Sequence, residues 1–175
     1  MAIRVDAYTA LGMGSGDLVG SERIRDALEI DGRVVLSGVT WQDLTDGWPR
    51  EIPELAVPAD DVLVIVADDT PIVPVHSVWH RLRVEAGPYL MEGELPTQPG
   101  FDPGRSLTRP SGPFVLIRHV SLSLRERPDL GAVEVDHALV NRYTVDEAES
   151  DLELSFFFPG VIAHGPPPAP TAAAS

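Results

Sequence analysis

One passage of this chain occurs twice. Arg4-Val5-Asp6-Ala7, Gly16-Asp17-Leu18, a segment ending at Leu28, Val34-Val35-Leu36 with Val39, and Asp60 before Val62-Leu63-Val64 form one series. Arg83-Val84-Glu85-Ala86, Gly93-Glu94-Leu95, Arg105 to Leu107, Val115-Leu116-Ile117 with Val120, and Asp136 before Ala138-Leu139-Val140 repeat it in the same order. The offsets between the two series run from 76 to 81 residues, as small loop insertions would produce. A period of that length predicts a duplicated small domain.

The predicted organisation follows from this. Residues 1–70 form a first small β unit, 71–77 a linker, 78–158 a second unit, and 159–175 a disordered Pro/Ala tail. Two units of roughly 70 residues sit near the lower limit for independent folding, so each is expected to lean on the other. With 43% hydrophobic residues the chain has enough apolar side chains for a packed core.

Local patterning reads mostly as strand. Ile3 to Tyr8 alternates apolar with polar residues, and Leu11 to Leu18 is expected to return beside it. Ser21 stands where it would cap a short helix whose apolar face is Ile24, Ala27 and Leu28. Arg33 to Trp41 resumes strand character, and Asp46 to Pro58 reads as a loop rich in turn residues. Val62 to Ala67 is an unbroken apolar run between Asp60-Asp61 and Asp68-Asp69, the signature of a strand buried on both faces. Phe114 to Leu124 and Val133 to Tyr143 give two more strands. The fold class is therefore all-β or β-rich α+β, two tandem related small barrel or sheet units with one short helix.

This order of strand, Gly-containing strand, short helix or loop, strand and strand resembles small β-barrels of the Sm-like or SH3-like kind. It also resembles uncharacterised bacterial proteins built from tandem small β-domains, on Gly16-Asp17-Leu18, Arg23 to Leu28, and Val57 with Asp60 to Val64. The resemblance spans roughly residues 3 to 145 and implies fold alone. Sm-like proteins bind RNA through polar and basic loops, and comparable loops here carry no Lys.

Charge and composition then exclude several activities. The formal net charge of −14 repels nucleic acid and anionic lipid surfaces. All 13 basic residues are Arg and they are scattered, so neither a phosphate-loop Lys nor a Schiff-base Lys is available. Cysteine is absent, which removes disulfides, thiolate nucleophiles and zinc-thiolate sites. Neither a signal-like apolar run nor a membrane-span-length one occurs, so a cytoplasmic location is the expectation. Gly12-Met13-Gly14-Ser15-Gly16 lacks the Gly-Lys-Ser/Thr of a phosphate loop and places its serine wrongly for a nucleophile elbow. No cofactor is expected.

Two sets of residues remain as candidates. His76 and His80, four apart, are candidate metal ligands, with the flanking Asp pairs as further donors. Trp48, in Gly47-Trp48-Pro49, is a candidate contact residue, because exposed aromatics anchor interfaces. Phe156, Phe157 and Phe158 form a costly apolar run that a pairing partner would cover. The expected role is a non-enzymatic interaction, assembly or regulatory module that contacts another protein or its own copies. The alternatives are a metal- or ligand-dependent enzyme with its site between the repeats and, against the charge, an Sm-like nucleic-acid binder.

Overall fold

In the computed structural model of the chain, residues 2–69, 77–97, 112–150 and 158–164 are described. The first half contributes β1 (Arg4–Thr9), β2 (Gly12–Leu18), α1 (Ile24–Glu29), β3 (Arg33–Asp43), β4 (Pro49–Pro58) and β5 (Val62–Ala67). The second contributes β6 (Val78–Ala86), β7 (Tyr89–Thr97), β8 (Phe114–Leu124), β9 (Val133–Asn141), β10 (Val145–Ser150) and β11 (Ile162–His164). All eleven strands belong to one sheet, in the order β11-β10-β6-β7-β8-β9-β5-β1-β2-β3-β4. The fold is β-rich with one short helix.

Each half repeats one strand order. The fifth strand pairs with the first and the other four meander, giving 5-1-2-3-4 and then 10-6-7-8-9. The two small units expected from the sequence share a single open sheet, joined where β5 pairs with β9 at Val64↔Val140 and Ile65↔Leu139.

Backbone irregularities recur at matching places. The β2–β3 ladder slips between Ser15 and Asp17, opposite Gly38 at φ 56°. The β7–β8 ladder slips between Glu92 and Glu94, opposite His119 at φ 51°. Bulges of this kind bend a strand and steepen its twist, which curls each half around its own core.

The ladders also re-pair two of the sequence matches. Arg4 faces Asp17 and Arg81 faces Glu94, so Arg81 rather than Arg83 stands in the place of Arg4. β5 has its counterpart in β10, whereas Ala138-Leu139-Val140 lies in β9, the counterpart of β4. The apolar runs of β5 and β9 look alike because both lie at the seam and are buried on both faces. Val64, Ala138 and Val140 belong to one core cluster, while Val62, Ile65 and Leu139 belong to the other.

Those two cores lie on opposite faces of the shared sheet. The first half's core, built on Val5, Leu36 and Val39, borrows Phe114, Leu116 and Leu139 from the second. The second half's core, built on Val84, Met91 and Ile117, borrows Tyr8, Leu63 and Val64 from the first. A fully buried Val or Ile contributes about 1.5–3 kcal/mol of transfer free energy, so the seam is strongly held despite its short ladder.

Three local expectations need correction. Pro49–Pro58 forms β4 instead of a loop, because an edge strand tolerates prolines, which lack the ladder N–H, better than a central one. Ser21 does not cap α1; its hydroxyl donates to Asp31, and the Ile24 N–H that opens the helix donates to Asp69 Oδ2 at 3.0 Å. Ile162–His164 lies in the stretch read as tail, yet pairs with β10 as β11. Phe158 is fully buried in the second core and anchors that pairing.

Candidate functional site

The turn between β3 and β4 presents the most exposed large aromatic side chain among the described residues. Trp48 is 73% exposed, and Leu11, at the β1–β2 turn, is equally so. The Leu44 N–H donates to the Leu11 carbonyl at 3.0 Å, which ties the two turns together at one end of the sheet. Leu44 itself packs against the core beneath.

Hydrogen bonds fix the shape of this tip. The Thr45 N–H donates to Asp43 Oδ1 at 2.7 Å and the Trp48 N–H to Asp46 Oδ1 at 3.0 Å. Asp46 also accepts from the Arg50 guanidinium at 2.6 Å, and Gln42 Nε2 donates to the Gly47 carbonyl at 3.1 Å. The Thr45 backbone N–H, followed by its hydroxyl, holds the Asp43 carboxyl below its usual pKa. Gly47, at φ 70°, takes the left-handed position the turn requires. A turn held this way leaves little backbone ordering to do on contact, which favours binding.

Of the metal candidates, His80 and the Asp pairs can be placed. His76 lies outside the described residues. His80 is half-buried on β6, where its Nε2 lies 3.0 Å from Thr97 Oγ1 across the β6–β7 ladder. Asp69 is occupied at the start of α1, and Asp60 and Asp61 form a single turn before β5. Among the described residues, no three His, Cys, Asp or Glu side chains converge as a metal site.

Between the halves there is a cavity of about 210 Å³, under α1 and over the seam. Ile24, Ile65, Leu116 and Leu139 supply its apolar walls, with Arg23 and His137 among its polar groups. Among the described residues, its lining includes no hydroxyl side chain that would serve as a nucleophile. The outer face of β6, β7 and β8 is charged but compensated. Arg118 lies 3.6 Å over the Trp79 ring and donates to Glu94 at 2.7 Å, while Arg125 pairs with Glu85 at 2.9 Å. Such pairing offsets the positive charge of Arg118 and Arg125, the kind of charge that phosphates require.

Of the phenylalanine run, Phe156 and Phe157 lie outside the described residues. Phe158 has no exposed surface, so its side chain is committed to the core and is not offered to a partner. Leu11 carried no legible signal in the sequence, since a single apolar residue at a turn is ordinary. Scans against family models, curated proteins and solved structures found no match to this chain.

Proposed function

We propose that this protein is a non-enzymatic interaction module that engages another protein through the tip carrying Trp48 and Leu11. The observation that supports this most is the build of the tip: a turn fixed by three hydrogen bonds that exposes an indole, and that is tied by the Leu44 N–H to the turn exposing Leu11. The plan of each half, which resembles Sm-like and SH3-like barrels, is in keeping with a scaffold that works through turns and edges. The charge of −14 and the compensated outer face favour a protein surface over nucleic acid as the partner.

The test is affinity capture from native extract with the wild-type chain beside Trp48→Ala and Leu11→Asp. A protein retained in stoichiometric amount by the wild type and lost from both variants, with unchanged melting temperatures, is the expected result. An identical retained set from all three would refute the tip.

A second reading rests on the cavity at the seam. Its apolar walls suit a small, largely apolar ligand, since Arg23 and Arg25 are offset there by Asp26, Glu29 and Asp69, in a chain that would then bind a ligand between its halves. Native mass spectrometry of freshly purified protein distinguishes the readings. A bound small-molecule mass would move the assignment to the cavity.

A further inference from the structure

The ladder registers make positions in the two halves comparable. β5 pairs with β1 as Tyr8↔Val64 and Ala7↔Ile65, with a bulge before Thr9↔Val62. β10 pairs with β6 as Glu85↔Glu147 and Val84↔Ala148, with a bulge before Ala86↔Val145. Glu147 and Ala148 therefore stand in the second half where Val64 and Ile65 stand in the first. Through Val64 and Ile65, β5 accepts a further strand, β9. Glu147 and Ala148 accept one too, but theirs is β11, through Ile162 and Ala163.

The two added strands differ greatly in how firmly they are held. β9 has nine residues, four of them buried. β11 has three residues, all exposed, and runs parallel to β10, the less stable ladder geometry. Its one side-chain tie among the described residues is His164 Nε2 to Glu147 Oε2 at 3.4 Å, between groups 56% and 43% exposed, a pair worth little in water. Phe158 and Val161 pack into the second core just before it, so β11 can leave the edge while its root stays anchored.

We propose that the β10 edge is a strand-addition site for an extended basic segment of a partner protein, with β11 as its displaceable resident. Glu147 and Glu149 flank Ala148 and alternate along β10, so both carboxylates flank one face of an added strand. The segment that fits places Lys or Arg opposite the two glutamates and a small apolar residue opposite Ala148. Acidic side chains on an edge also repel chance pairing, but β11 already covers these residues. A second copy of this chain does not fit. Its other sheet edge, β4, carries Pro49, Pro53 and Pro58, which donate no N–H, and Glu51 and Glu54, which would meet like charge. This site is independent of the Trp48 tip, which lies on the first half.

The experiment measures binding of a fluorescent peptide alternating Lys with Val, beside a Glu–Val control, to the full chain at about 0.15 M salt. Ala163→Pro with His164→Pro denies β11 its N–H groups without shortening the chain, and is expected to tighten Lys–Val binding by about tenfold or more. Glu147→Lys with Glu149→Lys should weaken it by about tenfold or more, whereas Glu51→Lys with Glu54→Lys on β4 should change it by less than about threefold. Trp48→Ala should leave it unchanged, which separates this site from the tip. Equal losses from the two charge reversals would reduce the effect to the overall negative field and overturn the proposal. No gain from the β11 variant, or a doubled mass of that variant without peptide, would overturn it as well.

Discussion

His119 occupies in the second half the backbone position that Gly38 occupies in the first, at φ 51° against 56°. Both sit on the long side of a bulge, facing the slip between Glu92 and Glu94 or between Ser15 and Asp17. A left-handed backbone costs a residue with a Cβ about 1–2 kcal/mol. His119→Gly is therefore expected to raise stability by about 0.5–1 kcal/mol, despite losing its contact with Glu94, and Gly38→His to lower it by a similar amount. Urea unfolding of the two variants measures this, and a loss in His119→Gly would mean the imidazole holds the bulge.

The bulges also need glycine on the facing strand. A Cβ on Gly16 would lie 2.8 Å from the Ser37 carbonyl oxygen, and one on Gly93 2.9 Å from that of Arg118. Backbone carbonyls in a ladder have nowhere to retreat. Gly93→Ala is expected to cost about 2 kcal/mol, more than an ordinary Gly-to-Ala change in a strand, and to lower the melting temperature accordingly.

The sequence made some of this legible and hid the rest for definite reasons. Val62 to Ala67 announced a strand buried on both faces because it lies at a seam with a core on either side. Gly16 and Gly93, with Val39 and Val120, match between the two halves because the bulges impose the same packing on both. β4 was hidden because Pro49, Pro53 and Pro58 are strand-breaking signals except at an edge, and edge position is a property of the whole sheet. β11 was hidden because three residues beside a Pro/Ala-rich stretch carry no periodicity. The cap of α1 was misread because Asp69, 45 residues from Ile24, supplies the acceptor that Ser21 stood ready to give. Trp48 could be singled out by type, but the tie of its turn to the Leu11 turn, through the Leu44 N–H, depends on two hairpins meeting.

The seam offers a direct test of how the halves depend on each other. Asn141 is 3% exposed; its Nδ2 donates to the Val62 carbonyl at 3.0 Å and its Oδ1 accepts from the Tyr143 N–H at 3.1 Å. Asn141→Ala leaves both partners without that bond in or beside the core and is expected to cost on the order of 2 kcal/mol. The urea transition should shift while staying single and keeping its slope, since each core is completed by side chains from the other half. A second transition would show that the halves unfold separately.

Alkaline pH should act on the same seam through two phenols. Tyr8 and Tyr89 meet edge to face, with ring centroids 5.4 Å apart, and the Tyr89 hydroxyl donates to the Thr9 carbonyl at 2.7 Å. Burial, with a smaller contribution from Asp6, pushes the Tyr8 phenol up to about 12. Burial, then the neighbouring Tyr8, pushes Tyr89 up as well. A phenol in the unfolded chain loses its proton near pH 10, so the fold holds these protons more tightly than the unfolded state does. Their contribution is complete below about pH 10 and is lost as pH rises toward and through 12. Stability measured by denaturant unfolding should therefore be level with respect to these groups up to about pH 10 and then fall, with phenolate absorbance from both rings rising together with loss of the sheet signal. Tyr89→Phe should cost about 1–2 kcal/mol at neutral pH, from the lost bond to Thr9, and flatten the alkaline decline. Ordinary titration of both rings in the intact fold would contradict this account of the seam.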